Sequence, residues 1–472
     1  MKFAAPGRLK TFDAFRDRWS EIAPELGVDE TVLGAGGPLG KPLDVEGKTL
    51  ENRFAIHPME GWDGTAEGRP SELTRRRWRS FGKSGASLLW GGEAFAVQAD
   101  GRANPNQLFL NDAAEPERTL VELIEEVREG RREIGASMDD CAIGLQLTHS
   151  GRFARPGKPV PKIAWHDPRL DAHFGTPVDL EPLTDGELEG IGERYVRAAV
   201  LAAGAGFDFV DVKCCHGYLM HELLGATGRE GKYGGSFDNR TRLFREIVRE
   251  IRQHAPDIAI GVRVSIVDVA PHRKNPDTGV GEPIEAEASG GFGVHPTNPT
   301  GIALADGFQF LGLLESLGIR LVNLTIGSPY YCPHLQRPAT YPPSDGYLPP
   351  RDPLYEVATH LRVTRAVKKA FPKLTLVGTG YSYLQEWLAN VGQHEVGHGH
   401  VDFVGLGRMV LSYPELPRDV LSGAELARKK ICRTFSDCTT GPRQGLVSGC
   451  FPLDPHYKEH PDYARLQEGK RS

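Results

Sequence analysis

The sequence predicts an α/β fold: a (β/α)8 TIM barrel over residues 41–420, an N-terminal prefix over residues 1–40 and a C-terminal tail over residues 421–472. Eight short apolar runs recur along the chain, and most are followed by helical periodicity, which is typical of parallel strand and helix units. The 472 residues exceed one ordinary domain, but a barrel with insertions can run past ~400 residues. A doubly wound open sheet is the alternative.

The candidate elements follow in chain order. The prefix carries one amphipathic piece, TFDAFRDRWSEIAPEL, before the first strand. The eight candidate strands are RFAIHP from 53, ASLLWG from 86, AIGLQLTH from 142, FDFVDVK from 207, IAIGVRVS from 258, IRLVNLTIG from 319, LTLVGTG from 374 and VDFVGLG from 401. The helical pattern between them is clearest over 240–254 and 356–371. Segment 269–305 is rich in Gly, Pro and acid without periodicity, and we expect a long loop over the barrel mouth.

Composition limits the partners. The formal net charge of -6, without any run of lysine or arginine, argues against nucleic acid or an anionic membrane as a partner. No apolar stretch is long enough to cross a bilayer and the first residues contain no signal core, so we expect a cytoplasmic protein with a small-molecule substrate. Seven cysteines in so long a chain suit reduced thiols. Homo-oligomerisation stays open.

The most informative segment is FDFVDVKCCHGYLMHE, residues 207–222. A buried strand there runs directly into Lys213, His216 and Tyr218. In parallel α/β folds chemistry is built at the carboxyl ends of strands, so these three side chains form a candidate acid/base set. The alternative is that Asp211 and Lys213 neutralise each other while His216 caps the next helix.

The last two candidate strands end in glycine-rich turns, GTGYS at 378–382 and GLGRM at 405–409. Bare amides and one guanidinium can hold a phosphate dianion, and barrels bind phosphate after strands seven and eight. The sequence therefore predicts a phosphate site formed by Gly378, Gly380, Gly407 and Arg408. Tight turns without a ligand are the alternative.

Several motifs occur together and in order. They are NRFAIHPME from 52, GEAFAV from 92, IGLQLTHSGR from 143, HGYLMHELL from 216 with YGGSFDNRTRLFREI from 233, GVRVS from 261 and VDFVGLGRMVL from 401. Across about residues 41–420 the chain resembles the Old Yellow Enzyme family, the FMN-dependent NAD(P)H:flavin oxidoreductases. The resemblance implies FMN as cofactor and NADH or NADPH as electron donor.

The resemblance also implies roles for individual residues. Arg263 would lie beneath the flavin N1 and O2, where a cation favours the anionic reduced ring. The other implied flavin contacts are Pro58 and Met59 against the ring, Ala94 beside it and Gln146 on its pyrimidine edge. From the residues alone, Gln146 could instead cap a turn and Arg263 could pair with Asp268.

The implied reaction is ping-pong: a nicotinamide reduces FMN at N5, and hydride then passes to the β-carbon of an activated alkene. Tyr218 would protonate the α-carbon while Lys213 and His216 hold the substrate oxygen. Relatives place a histidine where Lys213 stands, and a lysine could equally bind a substrate carboxylate. A flavin-dependent amine dehydrogenase or demethylase is the alternative within the superfamily.

Glu60 is a second departure, because relatives often carry threonine or cysteine at this position near the flavin C4 carbonyl. An ionised carboxylate there would oppose a negatively charged reduced flavin. The side chain could instead point away, toward Arg69 or Arg75.

The tail resembles the iron–sulfur segment of dienoyl-CoA reductase and trimethylamine dehydrogenase. Cys432, Cys438 and Cys450 are present, but CRTFSDC has no counterpart of the family's second cysteine. A cubane cluster needs a fourth ligand, so we do not expect an intact 4Fe-4S cluster and assign no metal ligands.

Two functions of other classes remain. HEVGH at 394–398 matches a zinc-protease pattern, but glycines bracket it and we expect a solvated helix end. A barrel that binds a phosphorylated ligand without catalysis is the other alternative.

Overall fold

The computed structural model describes residues 3–284 and 291–470. Its thirteen strands are β1 (Leu43–Val45), β2 (Lys48–Leu50), β3 (Phe54–Ile56), β4 (Leu88–Leu89), β5 (Ala94–Ala96), β6 (Ala142–Thr148), β7 (Phe209–Val212), β8 (Ala259–Ser265), β9 (His272–Lys274), β10 (Gly281–Pro283), β11 (Leu321–Thr325), β12 (Thr375–Gly378) and β13 (Phe403–Leu406).

The parallel strands close into a barrel. Around it the order is β3, β4, β6, β7, β8, β11, β12 and β13, and β13 pairs in parallel with β3. Strands β4 and β5 both pair in parallel with β6, one after the other, and the strand conformation is interrupted between them at Gly91. Gly91 has φ of 125°, which other residues do not readily adopt. The predicted (β/α)8 barrel and its eight strands are confirmed, and the open sheet is excluded.

Each barrel strand is followed by a helix on the outside. These helices are Glu72–Gly82, Pro116–Glu133, Asp185–Ala205, Arg242–His254, Ala305–Ser316, Pro353–Ala370, Leu388–Gly397 and Leu416–Ser422. The remaining helices are Phe12–Ile22, Pro168–Phe174, Leu219–Leu224, Phe237–Arg240, Pro333–Gln336, Met409–Ser412, Asp437–Arg443, Pro455–Lys458 and Asp462–Gly469. None of the helices in the described ranges is long and apolar enough to cross a membrane.

The barrel interior is filled at its amino-terminal end. Ala55, Leu88, Phe209 and other inward residues form one cluster, with Val45 and Leu50 of the β1–β2 hairpin packed against it. The rings of Trp90 and Phe209 approach within 5.1 Å inside this cluster. Because packed side chains fill the amino-terminal end, a ligand can enter the barrel only at the carboxyl end, as is usual for the fold.

The prefix and the tail both pack against the barrel. Helix Phe12–Ile22 stacks Phe15 on Trp387, with 5.2 Å between ring centroids, and buries Trp19 completely. The tail has its own small apolar cluster around Phe451 and Tyr457, and it is tied to helix Glu72–Gly82 by a bidentate Arg76–Asp454 pair of 2.8 and 3.0 Å. The domain division into prefix, barrel and tail stays a prediction.

The segment predicted as a long loop, 269–305, contains the antiparallel β9–β10 hairpin. Residues 285–290 of this predicted loop lie outside the described residues.

Candidate active site

A cavity of about 660 Å³ lies at the carboxyl ends of the barrel strands. Its wall brings together residues that are far apart in the sequence. Of the predicted site residues it includes Pro58, Met59, Glu60, Ala94, Gln146, Lys213, His216, Tyr218, Arg263, Gly380, Gly407 and Arg408. Gly378 does not line it, because a side chain there would meet Tyr381 and Val401 behind the wall.

Asp211 organises the floor below the cavity. Its carboxylate accepts hydrogen bonds from Trp90 Nε1 at 2.7 Å, from Gln146 Nε2 at 2.6 Å and from the backbone N–H of Arg263 at 2.7 Å. Burial raises the pKa of Asp211, although all three donors favour the charged form. Asp211 therefore orients Gln146 instead of neutralising Lys213, and Gln146 does not cap a turn.

Arg263 extends from β8 into the cavity. Its Nη1 donates to the carbonyl oxygen of Pro58 at 3.3 Å, and its buried Nε has no partner among the described residues. Burial lowers the pKa of this guanidinium. Asp268 instead accepts from Tyr331 at 2.7 Å, so the alternative Arg263–Asp268 pair does not form.

Lys213, Tyr218 and Glu60 form one contact group. Lys213 Nζ lies 3.7 Å from the centre of the Tyr218 ring, and the Tyr218 hydroxyl donates to Glu60 Oε2. The other oxygen of Glu60 accepts from Asn104 Nδ2 at 3.0 Å. Burial is the main cause that lowers the pKa of Lys213 and raises that of Tyr218 well above its ordinary value.

Glu60 thus points into the cavity, and the alternative in which it turned toward Arg69 or Arg75 is wrong. Both arginines instead contact Glu122.

His216 has an unusual backbone for a residue with a side chain, with φ of 67°. Its N–H donates to Ser265 Oγ at 3.0 Å, and its carbonyl accepts from Ser328 Oγ at 2.8 Å, so the end of β8 and the segment after β11 support this conformation. Burial lowers the pKa of His216 well below its usual range. Gln336 Nε2 lies 3.2 Å from its Nε2. Since an amide nitrogen only donates, the neutral ring carries its proton on Nδ1.

The far end of the cavity is formed by the turns after β12 and β13. Gly380 has φ of 103°, and Gly407 has open space where a side chain would begin. Arg408 Nη2 donates to the carbonyl of Pro338 at 2.6 Å, while its buried Nη1 has no partner within the described chain. Bare glycines beside an unsatisfied guanidinium nitrogen fit a phosphate group.

The tail also forms part of the cavity wall, through Cys438, Thr439, Arg443 and Ser448 among others. Cys432 and Cys450 are buried nearby, and burial raises the pKa of both thiols. Within residues 3–284 and 291–470, no group of three or more His, Cys, Asp or Glu side chains is placed to hold a metal ion.

Among the cavity residues that were not predicted are His57, Tyr330 and Arg337. His57 directly follows β3 and contacts Asn323 and Thr379 at 3.1 and 3.3 Å, and its place at a strand end was a usable signal. Tyr330 and Arg337 come from the irregular segment after β11. No sequence pattern marks them.

The zinc-protease pattern lies at the end of helix Leu388–Gly397, as expected, but this end is not fully solvated because Glu395 is buried. His394 Nδ1 contacts Asp29 at 2.9 Å and Glu395 binds Arg365, so both side chains have protein partners.

Comparison with known proteins agrees with this architecture. The profile of the NADH:flavin oxidoreductase / NADH oxidase family matches residues 38–281, more than half of the chain. An NADPH dehydrogenase from Bacillus subtilis (strain 168) is 30% identical over 232 residues, which are 48% of this chain and 63% of that protein. The chain therefore matches less than two thirds of that relative's length.

Solved structures show the same fold. A 2-naphthoyl-CoA reductase in complex with 2-naphthoyl-CoA has a TM-score of 0.66 at 18% identity, covering 89% of this chain and 57% of that one. An old yellow enzyme homologue from Zymomonas mobilis has a TM-score of 0.57 at 19% identity, covering 82% and 94%. At these identities the likeness concerns the fold alone. The profile match decides the family: the chain belongs to the NADH:flavin oxidoreductase / NADH oxidase family.

Proposed function

We propose that this protein is an FMN-dependent oxidoreductase that uses NADH or NADPH to reduce an activated carbon–carbon double bond. The observation that carries the proposal is the convergence of Lys213, His216 and Tyr218 on a single cavity with Arg263 and the glycine turns. FMN, when bound, supplies a hydride acceptor and donor at its N5.

The donors that suit FMN lie along one wall. Arg263 and Arg408 each have a buried nitrogen without a partner in the described residues, one near Pro58 and one beside the glycine turns. The first position suits the edge of the flavin ring, which becomes negative on reduction, and the second suits the FMN phosphate. The residues that would hold FMN are Pro58, Met59, Ala94, Gln146, Arg263, Gly380, Gly407 and Arg408.

Lys213 and His216 are positioned to hold the substrate oxygen. Lys213 has no carboxylate partner among the described residues, and neutral His216 has a ring N–H to donate. Both groups are buried, so a negative charge that develops on a substrate oxygen would be stabilised without competition from bulk water.

Tyr218 is the proton donor of this proposal. Its raised pKa keeps the hydroxyl protonated at neutral pH, and its proton points to Glu60 until a substrate competes for it. Loss of that proton would leave a phenolate facing the Glu60 carboxylate, so the proton must be replaced in each cycle. Tyr330, whose hydroxyl lies 2.7 Å away, is the polar group that can pass a proton to Tyr218.

One contact argues against the amine dehydrogenase or demethylase alternative. A substrate ammonium would favour the aromatic faces and the carboxylate at Tyr218 and Glu60. Lys213 Nζ already occupies the face of Tyr218 and would repel a second cation. A barrel that only binds a phosphorylated ligand would leave the buried set of Lys213, His216 and Tyr218 without a role.

The test begins with the purified protein. We expect a yellow chromophore whose released form has the mass of FMN, reduction of it by NADH or NADPH, and reoxidation by enones or unsaturated acids. FAD, a colourless protein after reconstitution with FMN, or faster reduction by amines than by nicotinamides would contradict the proposal.

Stopped-flow kinetics then tests the residues. Lys213→Ala, His216→Ala and Tyr218→Phe should each slow flavin reoxidation about a hundredfold, while reduction by the nicotinamide stays near the wild-type rate. If only the reductive half-reaction is slowed, these residues belong to the nicotinamide site instead.

A further inference from the structure

Positive charge in the cavity exceeds what neighbouring carboxylates neutralise. Lys213, Arg263, Arg337 and Arg408 line the cavity, and within the described chain none of the four has a carboxylate at salt-bridge distance. Of the two carboxylates in the described wall, Asp345 pairs with Arg443 and Glu60 has no cation at salt-bridge distance. Of the other cavity arginines, three are paired: Arg77 with Asp63 and Glu93, Arg152 with Glu222 and Asp171, and Arg443 with Asp345. Arg155 also lines the cavity, but its side chain is exposed to solvent.

Three of these four cations have a role in the proposed function: Arg263 at the flavin ring, Arg408 at the phosphate and Lys213 at the substrate oxygen. Arg337 has none. A partly buried guanidinium held among like charges is destabilised unless an anion joins it. The role of Arg337 is therefore best explained by a ligand.

The environment of Arg337 supports this explanation. Its Nη1 donates to the hydroxyl of Thr439 in the tail, and its other side-chain nitrogens have no hydrogen-bond partner in the described part of the chain. Burial lowers its pKa to about 10, and the nearby charges of Arg408 and Arg443 act in the same direction. An anion that binds here would relieve that repulsion, and the planar guanidinium matches a carboxylate or phosphate with two parallel hydrogen bonds.

Arg337 also stands apart in the chain from the reacting groups. Lys213 and Tyr218 follow β7, whereas Arg337 follows β11 and is joined by Arg443 from the tail at the rim. Tyr330 lines the same cavity as both arginines, and its hydroxyl lies 2.7 Å from that of Tyr218. A substrate that reaches both ends needs an acidic group away from its double bond.

We propose that Arg337, with Arg443 at the rim, binds a carboxylate or phosphate of the substrate that is remote from the reacting double bond. This inference rests on the proposed function and narrows its substrates to anionic alkenes with a second polar end.

The probes are a matched pair: 4-(3-oxobut-1-enyl)benzoate, which carries an enone and a remote carboxylate, and the corresponding benzamide, which lacks the charge. Binding to the FMN-loaded protein is measured by isothermal titration calorimetry, independently of turnover. We expect the wild type to bind the benzoate about 10- to 100-fold more tightly than the benzamide.

The variant Arg337→Gln should lose most of this preference, and Arg337→Lys should restore part of it, because a point charge replaces a planar one. Arg79→Gln, on the outer face of helix Glu72–Gly82, is the control and should keep the wild-type preference. The FMN dissociation constant is measured for every variant.

Equal binding of benzoate and benzamide by the wild type would overturn the inference. So would an Arg337→Gln variant that keeps the preference but loses FMN affinity, since Arg337 would then serve the FMN phosphate. If the preference is present and depends on Arg337 but neither probe is reduced, the anion site stands and the proposed alkene reduction fails.

Discussion

Arg77 offers the sharpest test of how the fold holds the active-site segment in place. It is buried on helix Glu72–Gly82, with Nε and Nη2 each 2.9 Å from the Asp63 carboxylate and Nη2 2.6 Å from Glu93. Its Nη1 donates to the carbonyl of Gly92 at 2.6 Å, and Glu93 in turn accepts from the backbone N–H of Gly61 at 2.8 Å. This network anchors the chain just after Glu60.

The variant Arg77→Met would leave two carboxylates that are each 1% exposed without their cation. Breaking a buried ion pair from one side costs about 3–5 kcal/mol. Arg79→Met on the same helix is the matched control, because Arg79 is 42% exposed where it pairs with Glu126. An exposed pair contributes only about 0–1 kcal/mol.

The assay is urea unfolding at pH 8, followed by tryptophan fluorescence, with the free energy of unfolding obtained from the midpoint and slope. Equal losses for Arg77→Met and Arg79→Met would refute the reasoning. The triple variant Arg77→Met, Asp63→Asn, Glu93→Gln removes the unpaired charges as well and should recover most of the lost stability.

Three further outcomes are expected. Arg263→Met should lower the flavin midpoint potential by tens of millivolts, because the anionic reduced ring loses its cation. For two electrons, roughly 30 mV corresponds to 1.4 kcal/mol. A raised potential would show that this side chain does not face the ring. Gly405→Ala should destabilise the protein, because the new methyl would lie 2.2 Å from the His57 ring. The methyl of Gly407→Ala meets no atom within 4 Å, so this variant should weaken FMN binding without changing the melting temperature of the FMN-free protein. Burial raises the pKa of Glu93 from 4.5 to about 7. Between these two pH values the folded protein keeps the Glu93 proton and the unfolded chain has lost it. The free energy of unfolding should therefore fall as pH rises across this interval, by up to about 1.4 kcal/mol per pH unit. Melting curves of Glu93→Gln should lack this dependence.

Much of the barrel is readable from the chain because its signals are local. A parallel strand buried on both faces must be a nearly continuous apolar run, and FDFVDVK and VDFVGLG show this without reference to any partner. The position of Lys213, His216 and Arg408 just after such runs follows from the same rule, since the carboxyl ends of all barrel strands meet at one face.

Contacts between distant segments leave no local signal in the sequence. Tyr218 and Glu60 are 158 residues apart, and Arg337 and Thr439 are 102 apart. Neither pair leaves a periodic or compositional signal. The direction of Glu60 was open until the structure placed it against Tyr218.

The barrel, its strand order and the end that carries the candidate site are thus encoded locally in the chain, because backbone hydrogen bonding and burial act residue by residue along each strand. Three features arise only in the packed structure: the charges that remain unpaired in the cavity, the position of Lys213 over Tyr218, and the contribution of the tail to the cavity wall. Side-chain direction and charge pairing depend on packing between elements that meet only when the barrel closes, and no local propensity encodes them.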